Sequence, residues 1–290
     1  MTAAAPQQTI QLKGESPSFL VAEPFRESLA RLGLTSLAAV FAFDSARDLA
    51  KPSLSRFRKR SQFEVTPVGA GQPVKVFLKR YDRPPVLQQL RNWLSHHRRS
   101  SFAFMEREAA DQLRNAGINA PRVVACGERW ASLFERKSFL MTEEIRDSES
   151  LERKLPSCFD HPATLPRREW IRRLATFIRR FHESGYRHRD LYLCHIFYSN
   201  AGGFTLIDLA RASRPIRQRR FQIKDIAQLH YSAPAASFSR TDRLRFYRTY
   251  TGRPRLSARD KVFIRHVLRK AATMARHSRK HGVPIPFLER

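Results

Sequence analysis

The stretch from Gly185 to Ala212, GYRHRDLYLCHIFYSNAGGFTLIDLARA, constrains this chain more than any other. Before it, an amphipathic helix is predicted over Leu165 to Ser184, with Ile171, Leu174, Ala175, Ile178 and Phe181 on one stripe and arginines around the rest. Gly185 stops that helix. His188-Arg189-Asp190 follows at once, and the apolar run Phe204 to Ile207 then delivers a second carboxylate, Asp208. Helix stop, carboxylate, strand, carboxylate: the order leaves few folds open.

Two carboxylates so placed suit phosphoryl transfer from a metal-bound nucleotide. One, Asp190, would orient the acceptor hydroxyl and receive its proton, and the other, Asp208, would hold the magnesium that neutralises the phosphates. Upstream, SQFEV and VKVFLKRY read as a hairpin over Ser61 to Tyr81, with turn chemistry between Pro67 and Pro73. Alternation puts Val74, Val76 and Leu78 on one face and Lys79 on the other, with Phe77 and Lys75. A helix from Ser101 to Asn115 places Glu106 on the same stripe as Ala109, Ala110 and Leu113, where a carboxylate needs a cation; Lys79 is the candidate partner, and Glu108 is the alternative glutamate if the register slips. Pro121–Gly127 and Lys137–Glu144 read as two further strands, the backbone of Met141 to Glu144 being available to an adenine ring. Leu34 to Phe41 reads as a short helix. Beyond Asp208, helices are expected from Ile223 to Tyr231, from Arg240 to Tyr250, and from a Ser257/Asp260 capping box onward, the last with Phe263, Val267, Ala271 and Met274 inward.

Composition narrows the partners. Lys and Arg number 54 against 26 Asp and Glu, a net charge of +28, in a chain that is 42% hydrophobic. That is a globular protein attracted to polyanions, whether an anionic membrane face, a phosphorylated glycolipid or a nucleic acid. No motif that reads nucleic acid is present, so no specific nucleic-acid partner is expected. Cys126, Cys158 and Cys194 lack the spacing of a disulfide frame or zinc site. The N-terminus does not read as a secretory signal, and no apolar run approaches the length of a membrane span, which predicts a cytoplasmic protein with at most peripheral membrane contact.

The lysine in VFLKRY, the glutamate in FMEREAADQL, HRDLYLCHIF and LIDLARA together resemble the protein-kinase fold. More narrowly they are similar to the bacterial lipopolysaccharide kinase family, which phosphorylates inner-core heptose or Kdo sugars. His195 stands where protein kinases carry asparagine, and Ala210 where DFG has its glycine. The resemblance covers residues 55 to 255. It implies an α+β, bilobal architecture, a small antiparallel sheet lobe and a larger helical lobe; with the polar, Pro- and Gln-containing residues 1–18 read as a loose arm, the chain divides into that arm, an N-lobe (19–142) and a C-lobe (143–290). It implies ATP and Mg2+ as cofactors, Asp190 as the catalytic carboxylate, and Lys79, Glu106 and Asp208 on the nucleotide. Asp208 and His195 become the metal candidates, although magnesium prefers oxygen. Arg189 would brace the loop, His188 hydrogen-bond the metal-binding turn, and Asp225 fasten the loop backbone. No glycine-rich loop is visible; Ser55 to Arg60, all basic but two, stands in its place. The implied function is phosphorylation of a heptose in the lipopolysaccharide inner core at the cytoplasmic face of the inner membrane, with the glycolipid acceptor and that anionic surface as partners. Alternatives are a kinase for another acceptor (Kdo, a small molecule or a protein) and a pseudokinase scaffold that binds polyanions.

Overall fold

The structure, a computed structural model, describes residues 9–11, 19–49, 56–155, 166–199, 203–235 and 237–282. The chain divides into two compact units, residues 1–112 with 121–145, and residues 113–120 with 146–290.

The first unit holds β1 (Thr9–Gln11), β2 (Phe19–Ala22), α1 (Arg26–Arg31), α2 (Leu37–Ala42), β3 (Arg47–Asp48), β4 (Arg58–Val65), β5 (Val74–Asp82), α3 (Val86–His96), α4 (Phe102–Asn115), β6 (Val123–Ala131) and β7 (Phe134–Glu143). Among the described residues its strands form one antiparallel sheet in the order β1-β2-β6-β7-β5-β4-β3. The expected hairpin is β4–β5, in register from Arg58↔Tyr81 to Val65↔Val74. Its alternation sorts two cores. Val74, Val76 and Leu78 join Phe63, Val65, Val124 and Met141 in one. Tyr81 joins Phe57, Phe102, Ala103, Cys126 and Leu140 in the other, the face that Lys79 shares. Three residues of the expected N-terminal arm, Thr9 to Gln11, pair with β2 as an edge strand; residues 1–8 and 12–18 lie outside the described residues. Ser36 caps α2, its hydroxyl accepting from Ala39 N at 3.2 Å, so this helix starts three residues later than the apolar run suggested.

The second unit holds β8 (Glu149–Ser150), α5 (Leu151–Lys154), α6 (Arg167–Glu183), β9 (Ile196–Ser199), β10 (Gly203–Leu206), α7 (Gln218–Ser232), α8 (Arg240–Thr251) and α9 (Ala258–Lys280). β8, β9 and β10 make a small antiparallel sheet. α6 buries its predicted stripe and Trp170. α9 has the predicted capping box, but its fourth inner residue is Ala275, not Met274, because steps of four from Phe263 through Val267 and Ala271 stay closest to the buried edge. The start of α7 is a second correction: the helix begins at Gln218, five residues before the predicted Ile223, since the arginines of RQRRFQIK are good helix formers rather than loop residues. Cys158 lies outside the described residues.

Candidate active site

On the first unit, β5 and α4 bring Lys79 Nζ to 2.5 Å from Glu106 Oε1, with side-chain exposures of 15% and 6%. Tyr81, two residues along the same face, donates its hydroxyl to the other carboxylate oxygen, Oε2, at 3.4 Å. Glu106 is therefore the paired glutamate, while Glu108 meets Arg98 at the surface. A lysine so held keeps its ammonium at a fixed point and cannot swing with its four-carbon stem. Two expectations about this unit change. The N–H groups of Glu143 and Glu144 are already donated to Arg122 O (2.9 Å) and Lys75 O (2.8 Å), which takes them away from an adenine. Of the basic run Ser55 to Arg60, which runs into β4, Arg58 lies over the rings of Phe57, Tyr81 and Phe102 at 5.1–5.6 Å, committed to the aromatic core, and residues 50–55 are outside the described residues.

On the second unit, the loop from Arg187 to His195 is held by one face of α7. Lys224, Asp225, Gln228 and Ser232 recur at helical spacing, and each meets the backbone of the loop. Asp225, fully buried, accepts His188 N at 2.8 Å and Arg189 N at 2.7 Å. Gln228 Oε1 accepts Leu191 N and Ser232 Oγ accepts Leu193 N, both at 3.1 Å, while Lys224 donates to Arg189 O. These fastenings hold Arg189 in the left-handed region at φ 65°, a conformation a non-glycine residue adopts only under constraint. Asp208, at φ 55°, does the same on the neighbouring turn. Arg189 braces the loop as expected, its guanidinium 5.0 Å above the Phe221 ring of α7. Arg187, which the sequence did not single out, is 6% exposed and donates Nη1 to His182 O (2.7 Å) and Tyr186 O (2.6 Å).

Within this frame the two oxygens of Asp190 differ. Oδ1 receives Gln228 Nε2 at 3.4 Å and faces Arg211 at 4.0 Å; Oδ2 has no partner among the described residues, and the side chain is 31% exposed. One oxygen is held and the other is open to accept a hydroxyl proton. His195 approaches from the same loop, its Nδ1 2.7 Å from the Asp190 carbonyl. A carbonyl only accepts, so Nδ1 donates to it and Nε2 faces Asp208 Oδ2, 3.9 Å away. A ring nitrogen and a carboxylate oxygen so placed can share a cation. His188 is buried beneath, stacked on His195 at 5.7 Å, and donates Nε2–H to Ile207 O at 2.9 Å; burial pulls its pKa down, so it stays neutral and ties the Asp208 turn to the catalytic loop.

The donor set fits one hard cation held chiefly by the Asp208 carboxylate, with His195 as a second, softer contact and the remaining positions left to phosphate and water oxygens, which is how Mg2+ is bound in nucleotide sites. No cluster of three or more His, Cys, Asp or Glu able to hold a metal by itself occurs among the described residues.

The model of the lipopolysaccharide kinase (Kdo/WaaP) family matches residues 55–250. The chain belongs to that family. Lipopolysaccharide core heptose(I) kinase WaaP of Pseudomonas aeruginosa is 33% identical over 192 residues, 62% of this chain and 71% of the relative. The enzyme of the same name from Escherichia coli is 31% identical over 190 residues, 61% and 71% of the two chains. A solved structure described as WaaP in complex with acyl carrier protein superposes with a TM-score of 0.62 at 27% identity, covering 90% of this chain and 98% of that one. Membership in the lipopolysaccharide kinase family makes this a phosphotransferase acting on a sugar hydroxyl, built on a kinase-like fold and using ATP.

Proposed function

We propose that this lipopolysaccharide kinase phosphorylates a heptose of the inner core at the cytoplasmic face of the inner membrane. Lys79, fixed by Glu106, contacts the nucleotide's phosphates. Asp208, with His195, holds Mg2+, whose charge offsets that of the triphosphate. Asp190 takes the acceptor hydroxyl through Oδ2, while Gln228 keeps Oδ1 from turning away. The observation that carries this reading is the open oxygen of Asp190 on a loop that α7 secures at four backbone nitrogens. The acceptor is favoured by the names of the relatives and by a charge of +28, which draws the chain to anionic glycolipid. No described helix is long and apolar enough to cross a membrane, so attachment would be peripheral. The mass of the glycolipid core, compared between cells with and without this chain, tests the reading: one phosphate is lost in its absence, and an unchanged core refutes it.

A second partner follows from a separate observation. The solved WaaP is in complex with acyl carrier protein. The second unit of this chain has a small apolar pocket of about 60 Å³, lined by Trp170, Leu174, Ile226, Phe238, Phe246 and Tyr247 among others. Its apolar lining suits the end of an acyl chain rather than the whole of one. Calorimetric titration with acylated and unacylated carrier protein separates the cases: tighter binding of the acylated form supports a role for the pocket, and equal binding removes it.

A further inference from the structure

α3 is built inside out. The residue it buries most deeply is Gln89, 2% exposed, which donates Nε2 to Pro84 O (2.8 Å) and Glu135 O (3.2 Å) and accepts Glu135 N at Oε1 (2.8 Å). Trp93, one turn on, lies flat against Phe134 (5.8 Å between centroids, 8° between planes) and donates Nε1 to Ser100 O at 2.9 Å. These contacts fix the rotation of the helix. At 3.6 residues per turn they leave Val86, Leu87, Leu90 and Leu94 on an outward arc of about 100°. Those four are exposed by 47, 59, 40 and 75%. An aliphatic stripe of this kind on a water-facing helix marks a surface that something covers.

The surroundings say what. From Arg83 to Ser101 there are four arginines, two histidines and no acidic residue. Arg98 is paired with Glu108, but the guanidiniums of Arg83 and Arg91 have no partner among the described residues. Arg99 ties the end of this segment to the β6–β7 turn through Ser132 O (3.0 Å) and Leu133 O (3.1 Å), lies 4.6 Å over Trp130, and so holds a further exposed leucine, Leu133 at 60%, beside the helix. A second copy of this chain would set one arginine-flanked face against another, in a protein that already carries +28. Charge complementarity selects an anionic surface, and the leucine arc selects one with an apolar layer beneath its charge. Leucines below, arginines at the level of phosphates and tryptophans at the boundary are the arrangement of a helix lying in a bilayer interface.

We propose that α3 is a membrane-docking helix, inserting Leu87, Leu90 and Leu94 into the headgroup boundary of an anionic phospholipid bilayer while Arg83 and Arg91 meet its phosphates. The proposal rests on the functional reading above only for which membrane is used. The test is sedimentation of the purified full chain with vesicles of phosphatidylcholine, with and without phosphatidylglycerol. The wild type should sediment with the anionic vesicles. Leu90→Ser/Leu94→Ser should lower that partitioning at least ~10-fold, since two buried leucines contribute that much or more. Arg83→Gln/Arg91→Gln should lower it and weaken its dependence on salt. All four side chains face water, so melting temperatures should stay unchanged, and transfer of phosphate to a detergent-dispersed acceptor should be retained. Vesicle binding by Leu90→Ser/Leu94→Ser equal to wild type overturns the proposal. So does light scattering that shows a wild-type dimer abolished by the same pair, because a second copy would then cover the stripe. A wild type that binds vesicles through these leucines yet transfers no phosphate would leave the helix assignment standing and remove the kinase reading instead.

Discussion

Replacing Asp225 by asparagine should loosen the catalytic loop without touching the reacting groups. The buried carboxylate accepts two backbone N–H groups, from His188 and Arg189, at 2.8 and 2.7 Å, and its Oδ2 also lies 3.3 Å from His182 Nε2. Asparagine keeps one acceptor and turns its amide nitrogen, a donor, towards the other N–H. Each hydrogen bond to a buried charge is worth about 1.5–3 kcal/mol, so losing one and leaving a donor facing a donor costs about 2–4 kcal/mol. For a unit of this size that lowers the melting temperature by roughly 4–16 °C. Phosphate transfer should fall as well, because the left-handed conformation of Arg189 next to Asp190 has no other pair of acceptors to hold it. Asp190→Asn is the control: among the described residues its carboxylate makes one long hydrogen bond, from Gln228, and one distant ion pair, with Arg211, so its melting point should stay within about 1 °C of wild type. Scanning fluorimetry and a transfer assay on both variants decide. Asp225→Asn melting with the wild type would refute the claim that α7 secures the loop.

Lys79→Met should abolish the rise in melting temperature that ATP gives the wild type, and Glu106→Gln should reduce it. Because the pair acts as one unit, the double variant should be no worse than Lys79→Met, and additive losses would sink that pairing. Burial pushes the carboxyl of Glu135 from 4.5 up to about 7, against the pull of its bonds from Ser138 and Phe102 N. A pKa raised on folding adds stability that is full below the unfolded value of 4.5 and is lost as pH climbs through 7, about 3 kcal/mol in all. The urea midpoint of the wild type should therefore drop between pH 5 and 7.5 more steeply than that of Glu135→Gln, and parallel curves would contradict the assignment. The Cys126 thiol is buried and pushed up to about 12, so iodoacetamide at pH 8 should leave it unmodified until denaturant is added, as mass spectrometry would show.

Much of the frame was legible because it rests on local periodicity. Alternation in VKVFLK put Lys79 opposite Val76 and Leu78, and helical spacing put Glu106 on the stripe with Ala109 and Leu113; both survive because each face has its own core. Asp225 could be named only through resemblance, yet its companions Lys224, Gln228 and Ser232 repeat at spacings of four on a buried helix. A polar stripe on an apolar helix is a signal that something polar faces it. Other features depend on partners distant in sequence. Nothing near Asn119 reveals that its side chain donates to Phe204 O and its carbonyl accepts from Leu206 N, the bonds that tie residues 113–120 to β10. Likewise the two-residue β8 is a strand only because it pairs with Phe197 and Tyr198. The backbone of Met141 to Glu144 reads as open to an adenine ring because the acceptors that take up the Glu143 and Glu144 N–H groups, on Arg122 and Lys75, lie in segments distant in sequence.

The most direct test of the account is transfer of labelled γ-phosphate from ATP to core glycolipid lacking that phosphate, with purified wild type and Asp190→Asn side by side. The wild type should give labelled glycolipid, and the variant, still melting at the wild-type temperature, at least ~10²-fold less. Equal transfer by the two would contradict the role given to Asp190, and no transfer by the wild type would contradict the proposed reaction.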